Sequence, residues 1–244
     1  MKKIFTLFAA GLMMTAANAE TLTVCQHADE NSRDANFPVY GLYTDTEGTT
    51  SQMIYPAEML ANMENGQISQ IKFFATDIIR YGCTLQLSLK EVDETAFPSA
   101  TKYENATAVA TLQLEKNVNS EMTFTLDEPY TYNGGNLMIE TKVIAAGNYA
   151  TTYYFGAKTG QNTSLLSYNS WGSEKNELYD FLPEAEFTYV LDPSTAIDQI
   201  SADKSVASVR YYNMAGQQIA NPEGIAIQVT TYTDGTTSSA KVVK

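Results

Sequence analysis

The stretch Thr84-Leu-Gln-Leu-Ser-Leu-Lys-Glu-Val92 decides the fold class of this chain. Apolar residues occupy every second position from Leu85 to Leu89, and polar residues stand between them. Successive side chains of a β-strand point to opposite faces, so this period of two predicts a half-buried strand with its leucines in a core. Cys83 is in phase with the leucines, and we expect it to face the same core.

Similar β-prone segments recur along most of the chain, separated by turn residues. A single helix is predicted over 56–63, because Pro56 suits the first helical turn and Asn65-Gly66 suits a C-terminal stop. Many short strands with almost no helix favour an all-β fold, an antiparallel β-sandwich with a jelly-roll-like topology. The other predicted strands are 22–26, 37–43, 50–55, 67–75, 108–114, 122–126, 137–144, 151–156 and 186–191.

The composition is that of a globular protein with an acidic surface. Hydrophobic residues make up 44% and charged residues 18%, which is enough apolar content for a core. Sixteen tyrosines and ten phenylalanines against one tryptophan suit strands. The formal charge of −13 repels phosphate backbones and anionic lipid heads, so nucleic-acid and membrane-surface binding are disfavoured. Cations and neutral sugars remain compatible ligands.

The first nineteen residues have the pattern of a secretory signal peptide. Lys2 and Lys3 form a positive start, 4–14 is apolar, and Ala17-Asn-Ala19 predicts cleavage between Ala19 and Glu20. The apolar stretch is shorter than the roughly 20 residues that a membrane-spanning helix needs, and no later stretch is long enough, so no transmembrane segment is predicted. Loss of the two leader lysines changes the formal charge from −13 to −15.

A polar segment at 192–204, which contains Pro193, is predicted to link two domains. The β-sandwich domain would occupy 20–191, and a small Ig-like β-module would occupy 205–244. In this C-terminal module, turns are predicted at Met214-Ala-Gly216 and at Asp234-Gly235, since Asp-Gly between β-prone runs favours a tight hairpin.

The C-terminal module resembles the sorting domain of type IX secretion cargo, the outer-membrane export route of Bacteroidetes. The resemblance is carried by Val209-Arg-Tyr-Tyr-Asn-Met-Ala-Gly216, Gly224-Ile-Ala-Ile-Gln-Val229 and Lys241-Val-Val-Lys244. The module is a shortened form, without the earlier Asn-Pro-containing strand pair, and Ala226 stands where many members have an aromatic residue. The resemblance implies export by the type IX machinery, removal of the module and an extracellular or cell-surface location.

The main domain is similar to the β-sandwich modules of such cargo, in the style of adhesin modules that accompany gingipain-type proteases. This resemblance is carried by Pro38-Val-Tyr-Gly-Leu-Tyr43, 51–58, 66–74 and 181–189. It implies a structural role for these residues and a binding function for the domain.

Catalytic motifs are missing from the sequence. His27 is the only histidine, which excludes any multi-histidine metal site and leaves a catalytic triad only if His27 serves in it. There is no G-x-S-x-G, no glycine-rich phosphate loop, no C-x-x-C and no H-E-x-x-H. The prediction is therefore a protein that is not an enzyme and has no cofactor. Glycosidase chemistry needs only two carboxylates, so a hydrolase stays open as an alternative.

The sequence offers three candidates for metal or sulfur chemistry. Asp29, Glu30, Asn31 and Asp34 could bind calcium through oxygen, and a solvated acidic loop is the alternative. Cys25 and Cys83 could form a disulfide in an exported protein, and two buried or half-buried thiols are the alternative. Cys25 and His27 are also two positions apart, which would suit a metal if both lie on one strand.

The segment 160–180 contains the ligand-binding candidates Tyr168 and Trp171. An exposed Trp171 beside Tyr168 would suit stacking on a sugar ring or gripping a protein. We favour the alternative, in which Trp171 closes the end of the sandwich. The resulting hypothesis is an exported, adhesin-like binding protein for a glycan or a host protein. The alternative is a carbohydrate-active hydrolase or a carbohydrate-binding accessory module.

Overall fold

The computed structural model describes residues 19–117, 119–191, 206–213, 216–220, 222, 224–233 and 235–243. The chain divides into two compact units between Asp192 and Pro193. The predicted leader up to residue 18 and the predicted linker at 192–204 lie outside the described residues. Ala19 and Glu20, the predicted cleavage site, are both exposed, and Glu20 begins the first strand.

The described residues of the first unit form antiparallel strands of 2 to 13 residues and very little helix. One α-helix, α1, spans Ala57–Leu60, and 3-10 turns span Gly41–Tyr43 and Ala61–Met63. The strands are β1 (Glu20–Val24), β2 (Arg33–Asp34), β3 (Thr50–Tyr55), β4 (Gly66–Phe74), β5 (Gly82–Val92), β6 (Thr107–Leu114), β7 (Glu121–Thr131), β8 (Asn136–Asn148), β9 (Tyr154–Ala157), β10 (Ser164–Ser170), β11 (Ser173–Tyr179), β12 (Leu182–Pro183) and β13 (Ala185–Leu191).

The strand order confirms the predicted all-β sandwich. One sheet has the order β1-β13-β4-β7 and the other contains β3-β8-β5-β6. Successive strands of the chain switch between these two four-stranded sheets, except that β5 and β6 are neighbours in the same sheet, and this is the order of a jelly roll. Two additions extend it: the hairpin β10–β11 pairs with the free side of β3, and β12-β9-β2 forms a small third sheet.

The sandwich core follows the alternation that predicted it. Leu85, Leu87 and Leu89 of β5 are completely buried, and Cys83 faces the same core cluster. Aromatic side chains fill the space between the sheets, and Tyr81 and Tyr154 share a buried hydrogen bond between their hydroxyls at 2.7 Å. The apolar periodicity of the strands therefore sets the inner face of each sheet.

Three connections meet at one end of the sandwich, those that follow β1, β4 and β8. Arg33 in β2 pairs with Phe155 in β9, which joins the first connection to the third. Thr76 N–H, after β4, donates to the carbonyl of Tyr153, after β8, at 2.9 Å. Side chains far apart in sequence are brought together here.

The predicted strand at 37–43 is wrong. Phe37–Pro38 is a cis peptide, and the chain turns through the 3-10 helix Gly41–Tyr43. Gly41 packs so closely that an added Cβ would lie 2.2 Å from the carbonyl oxygen of Ala150. Backbone packing at Gly41 and the absence of an N–H on Pro38 override the β-prone composition of this segment.

Two other predicted elements need adjustment. The predicted helix at 56–63 is one turn of α-helix, Ala57–Leu60, that continues as the 3-10 turn Ala61–Met63. The predicted strand at 151–156 corresponds to β9, which begins only at Tyr154.

The second unit, as far as it is described, forms one four-stranded antiparallel sheet in the order β15-β14-β16-β17. Its strands are β14 (Val206–Tyr212), β15 (Gln218–Ile219), β16 (Ile225–Tyr232) and β17 (Thr237–Val243). Gly216 and Gly235 have φ of 77° and 83°. Their partners in the predicted turns, Met214, Ala215 and Asp234, lie outside the described residues.

Candidate functional site: an aromatic surface and an exposed hairpin

Trp171 occupies the tip of the hairpin β10–β11. Ser170 pairs with Ser173, which leaves Trp171 and Gly172 as a two-residue loop. Both have positive φ, 52° and 77°, as a type I′ turn requires. The side chain is fully exposed at 103%, so the interpretation that Trp171 closes the end of the sandwich is wrong. The only tryptophan of the chain points into solvent.

Three tyrosines form what we call the aromatic surface: Tyr40, Tyr43 and Tyr168. The ring centroid of Tyr43 lies 4.5 Å from that of Tyr168 and 5.2 Å from that of Tyr40, and Tyr40 meets Tyr168 edge-on at 5.4 Å. All three are half-buried, so each presents part of its ring to solvent. The Tyr43 hydroxyl also approaches Ser170 Oγ at 3.4 Å, immediately before Trp171.

Glu177 on β11 holds this surface in place. Its two carboxylate oxygens accept hydrogen bonds from the hydroxyls of Tyr168 at 2.9 Å and Tyr179 at 2.7 Å. The hydrogen bond to Glu177, followed by burial, raises the pKa of Tyr168 to about 12. Burial, followed by the hydrogen bond to Glu177, also raises the pKa of Tyr179. The hydroxyls of Tyr168 and Tyr179 are therefore held by one carboxylate, and an immobilised Tyr168 ring lowers the entropic cost of binding a ligand.

The segment proposed for calcium is organised by its own backbone. Asp29 Oδ1 accepts the backbone N–H of Asn31 at 2.8 Å and that of Ser32 at 3.1 Å, an Asx turn. Asp34 Oδ1 accepts the N–H of Asn36 at 2.7 Å. Among the described residues, Asp29, Glu30 and Asp34 do not form a group that could hold a metal ion.

The two cysteines are separate free thiols, so the candidate disulfide between Cys25 and Cys83 is absent. Cys25 Sγ lies 3.8 Å from Met59 Sδ, and Cys83 is buried in the main core. Burial, with a smaller effect of Glu184, raises the pKa of Cys25 to about 12, and burial alone raises that of Cys83 to about 12. Both sulfurs are therefore protonated and weakly nucleophilic at neutral pH.

His27 does not share a strand with Cys25, because β1 ends at Val24 and Cys25 has a positive φ of 54°. Its Nδ1 lies 2.5 Å from Glu184 Oε2, and its ring stacks on Phe155 with centroids 3.9 Å apart. Glu184 also accepts the backbone N–H of His27 at 3.2 Å. This pair ties the segment after β1 to the segment before β13.

Tyr168 and Trp171, three positions apart, lie on one hairpin. The sequence did not predict the other residues of the site. Tyr40 and Tyr43 were assigned to a strand, and Glu177 carried no signal because β11 is exposed on both faces over most of its length. The available signal for the hairpin was Gly172, since glycine adopts positive φ readily, but Trp171 before it is not a typical turn residue.

Comparison with known proteins identifies no family. No family model matches the chain, and no curated protein matches it. Two solved structures align over most of the chain: the β-glucuronidase of Ruminococcus gnavus, at 10% identity, TM-score 0.24, covering 90% of this chain and 39% of that one, and that of Dictyoglomus thermophilum, at 8% identity, TM-score 0.24, covering 92% and 38%. The chain spans less than two fifths of either enzyme, and the TM-scores are too low to indicate a shared fold.

No helix within the described ranges is long and apolar enough to cross a membrane.

Proposed function

We propose that this protein is an exported, non-enzymatic, adhesin-like binding protein that grips its ligand with the hairpin β10–β11 and the aromatic surface. The observation that carries the proposal is the exposure of Trp171 at a left-handed position. An exposed indole in a left-handed turn is unfavourable for two reasons. Asn or Gly adopts the left-handed backbone more easily, and a polar side chain is better solvated than an indole. Such strain is typical of functional positions.

The neighbourhood of Trp171 supports this proposal. Aromatic side chains are enriched where proteins bind partners, because they supply a large contact area with few rotatable bonds. Tyr43 and Tyr168 lie beside the hairpin tip, and Glu177 prevents Tyr168 from rotating freely. A sugar ring stacked on Trp171, or a host-protein pocket that receives it, would find a second aromatic contact next to the first.

The proposed absence of an enzymatic role is supported by the histidine and the two cysteines, which have structural surroundings. His27 is paired with Glu184 and stacked on Phe155. The thiols of Cys25 and Cys83 are kept protonated by burial. These residues would stabilise the unit and perform no catalysis.

Export is the second part of the proposal, and it rests on the leader pattern and on the resemblance of the C-terminal module to type IX sorting domains. The compact second unit supports it, since its described strands form a sheet of their own, as a separate sorting module would. Protease accessibility on intact source cells would test it. The full chain should be accessible at the surface or released, and a chain ending at Asp192 should stay inside the outer membrane. Equal distribution of both chains would contradict it.

Binding is tested by applying residues 20–244 to a broad array of glycans and host surface proteins. We expect binding that falls about tenfold or more in Trp171→Ala and several-fold in Tyr43→Ala. Tyr149→Ala is the matched control, because Tyr149 is 61% exposed and lies outside the ring contacts of the aromatic surface. Absence of binding across the array, or equal binding by Trp171→Ala, would contradict the proposed function.

A further inference from the structure

A cleft of about 640 Å³ opens where the connections after β1, β4 and β8 meet. Arg33 comes from the first connection, Asp77 and Arg80 from the second, and Tyr153 from the third. Backbone hydrogen bonds join its walls: Thr76 N–H donates to Tyr153 O, and Arg80 N–H donates to Thr152 Oγ1 at 3.1 Å. The cleft is therefore held by contacts between residues more than seventy positions apart.

The charge of this cleft differs from that of the whole chain. Arg33 and Arg80 are the only arginines of residues 1–192, and both line the cleft, in a chain whose formal charge is −13. Arg80 Nη2 lies 2.7 Å from Asp77 Oδ2, so one positive charge has a partner. Arg33 makes no ion pair within the described part of the chain, and its guanidinium lies over the ring of Tyr153, 5.0 Å from the centroid.

The guanidinium of Arg33 lies over the ring of Tyr153 but is not neutralised by an ion pair with a described residue. A guanidinium in this situation can bind a carboxylate with two parallel hydrogen bonds. Asp77 and the hydroxyls of Thr76 and Thr151, which also line the cleft, are hydrogen-bonding groups suited to a ligand rich in hydroxyls.

We propose that this cleft binds a carboxylate-bearing sugar, with the carboxylate on Arg33 and Arg80 and the hydroxyls on Asp77 and the threonines. A peptide that binds by strand addition fits less well, because that mode needs a free strand edge of some length. The strand in this cleft, β2, is only two residues long. The proposal goes beyond the function assigned to the aromatic surface, since the cleft shares no residue with it.

The chain contains three arginines, so its Nε–Hε NMR signals number three and can be assigned with Arg33→Gln and Arg210→Lys. D-galacturonate added to 15N-labelled residues 20–244 should shift the signals of Arg33 and Arg80 and leave that of Arg210 in place. D-galactose, which has a hydroxymethyl group in place of the carboxylate, should shift none of these signals at the same concentration.

Affinity for D-galacturonate should fall about tenfold or more in Arg33→Gln, because a bidentate charge-assisted contact is lost. Lys90→Gln is the control, since Lys90 also lies over an aromatic ring, that of Tyr103 at 6.0 Å, and carries the same charge. It should leave the affinity within about twofold. Any of four results would overturn the proposal: unchanged arginine signals with D-galacturonate, equal shifts with D-galactose, full affinity of Arg33→Gln for D-galacturonate, or a response only to N-acetylglutamate amide. None of these outcomes depends on Trp171. Failure of the cleft proposal can therefore be distinguished from failure of the proposed function in the array experiment.

Discussion

Single hydroxyl groups decide part of the stability of the core, as Tyr81 and Tyr154 show. Their hydroxyls bond to each other at 2.7 Å, and both side chains are completely buried. Removing one hydroxyl leaves the other without this partner in an apolar environment, which costs more than the hydrogen bond itself contributes.

We therefore expect Tyr81→Phe to lower the free energy of unfolding by about 1–3 kcal/mol. The double variant Tyr81→Phe/Tyr154→Phe should lose less than the sum of the two single variants, because no unpaired hydroxyl remains. Urea unfolding of all four chains measures both quantities, with the exposed Tyr149→Phe as the control. Strict additivity would show that the two hydroxyls do not depend on each other.

The thiols offer a second test at this scale. Because burial holds the pKa of Cys25 and Cys83 at about 12, neither should react with iodoacetamide in the folded protein at mildly alkaline pH. In denaturant without reductant, both should react, and mass spectrometry should count two added groups. A chain that gains none under these conditions would contain the disulfide that the structure lacks.

At the scale of single elements, the hairpin β10–β11 allows effects on stability and on ligand binding to be measured separately. Asn tolerates the left-handed backbone of position 171, whereas a β-branched residue does not. Trp171→Asn should keep or raise the melting temperature, and Trp171→Val should destabilise the chain by about 1 kcal/mol. Both variants remove the indole, so both should lose ligand binding in the array experiment. If Trp171→Asn lowered stability as much as Trp171→Val, the indole would have a packing role instead.

The elements also differ in how well the sequence predicts them. β5 was predictable, because the leucines of one face are buried in the main core, whereas most residues of the other face are only half-buried. β11 was not, because it is exposed on both faces over most of its length and so has no periodicity. The segment from Phe37 to Tyr43 has strand-like composition, but its backbone is set by the close contact of Gly41 with Ala150. An alternating pattern therefore appears where one face of a strand is more buried than the other.

At the scale of the whole molecule, buried acids with raised pKa values make stability depend on alkaline pH. Burial raises the pKa of Tyr55, Tyr81 and Tyr154, and those of the two thiols reach about 12. The unfolded chain releases these protons near the ordinary values, roughly 8.5 for Cys and 10 for Tyr, while the folded chain retains them. Deprotonation therefore favours the unfolded state.

The free energy of unfolding should be insensitive to these groups below about pH 8 and should fall as the pH rises from about 9 to 12. Urea unfolding followed by circular dichroism at several alkaline pH values measures this, and tyrosinate absorbance should report the buried tyrosines titrating together with unfolding. Cys25→Ala should retain more of its stability at high pH than the unchanged chain, relative to neutral pH. Constant stability up to pH 12 would contradict the raised pKa values.

The sequence by itself determined the all-β class and the inward face of β5, because both follow from the period-two geometry of a strand with one buried face. It also placed Tyr168 and Trp171 on one segment. Only the tertiary structure decided that Trp171 points into solvent, that Tyr43 lies beside Tyr168, and that Arg33 and Arg80 line one cleft. These contacts depend on which connections lie at the same end of the sandwich. The order and direction of the strands determine this arrangement through contacts between residues far apart in sequence, and a local sequence pattern does not encode such contacts.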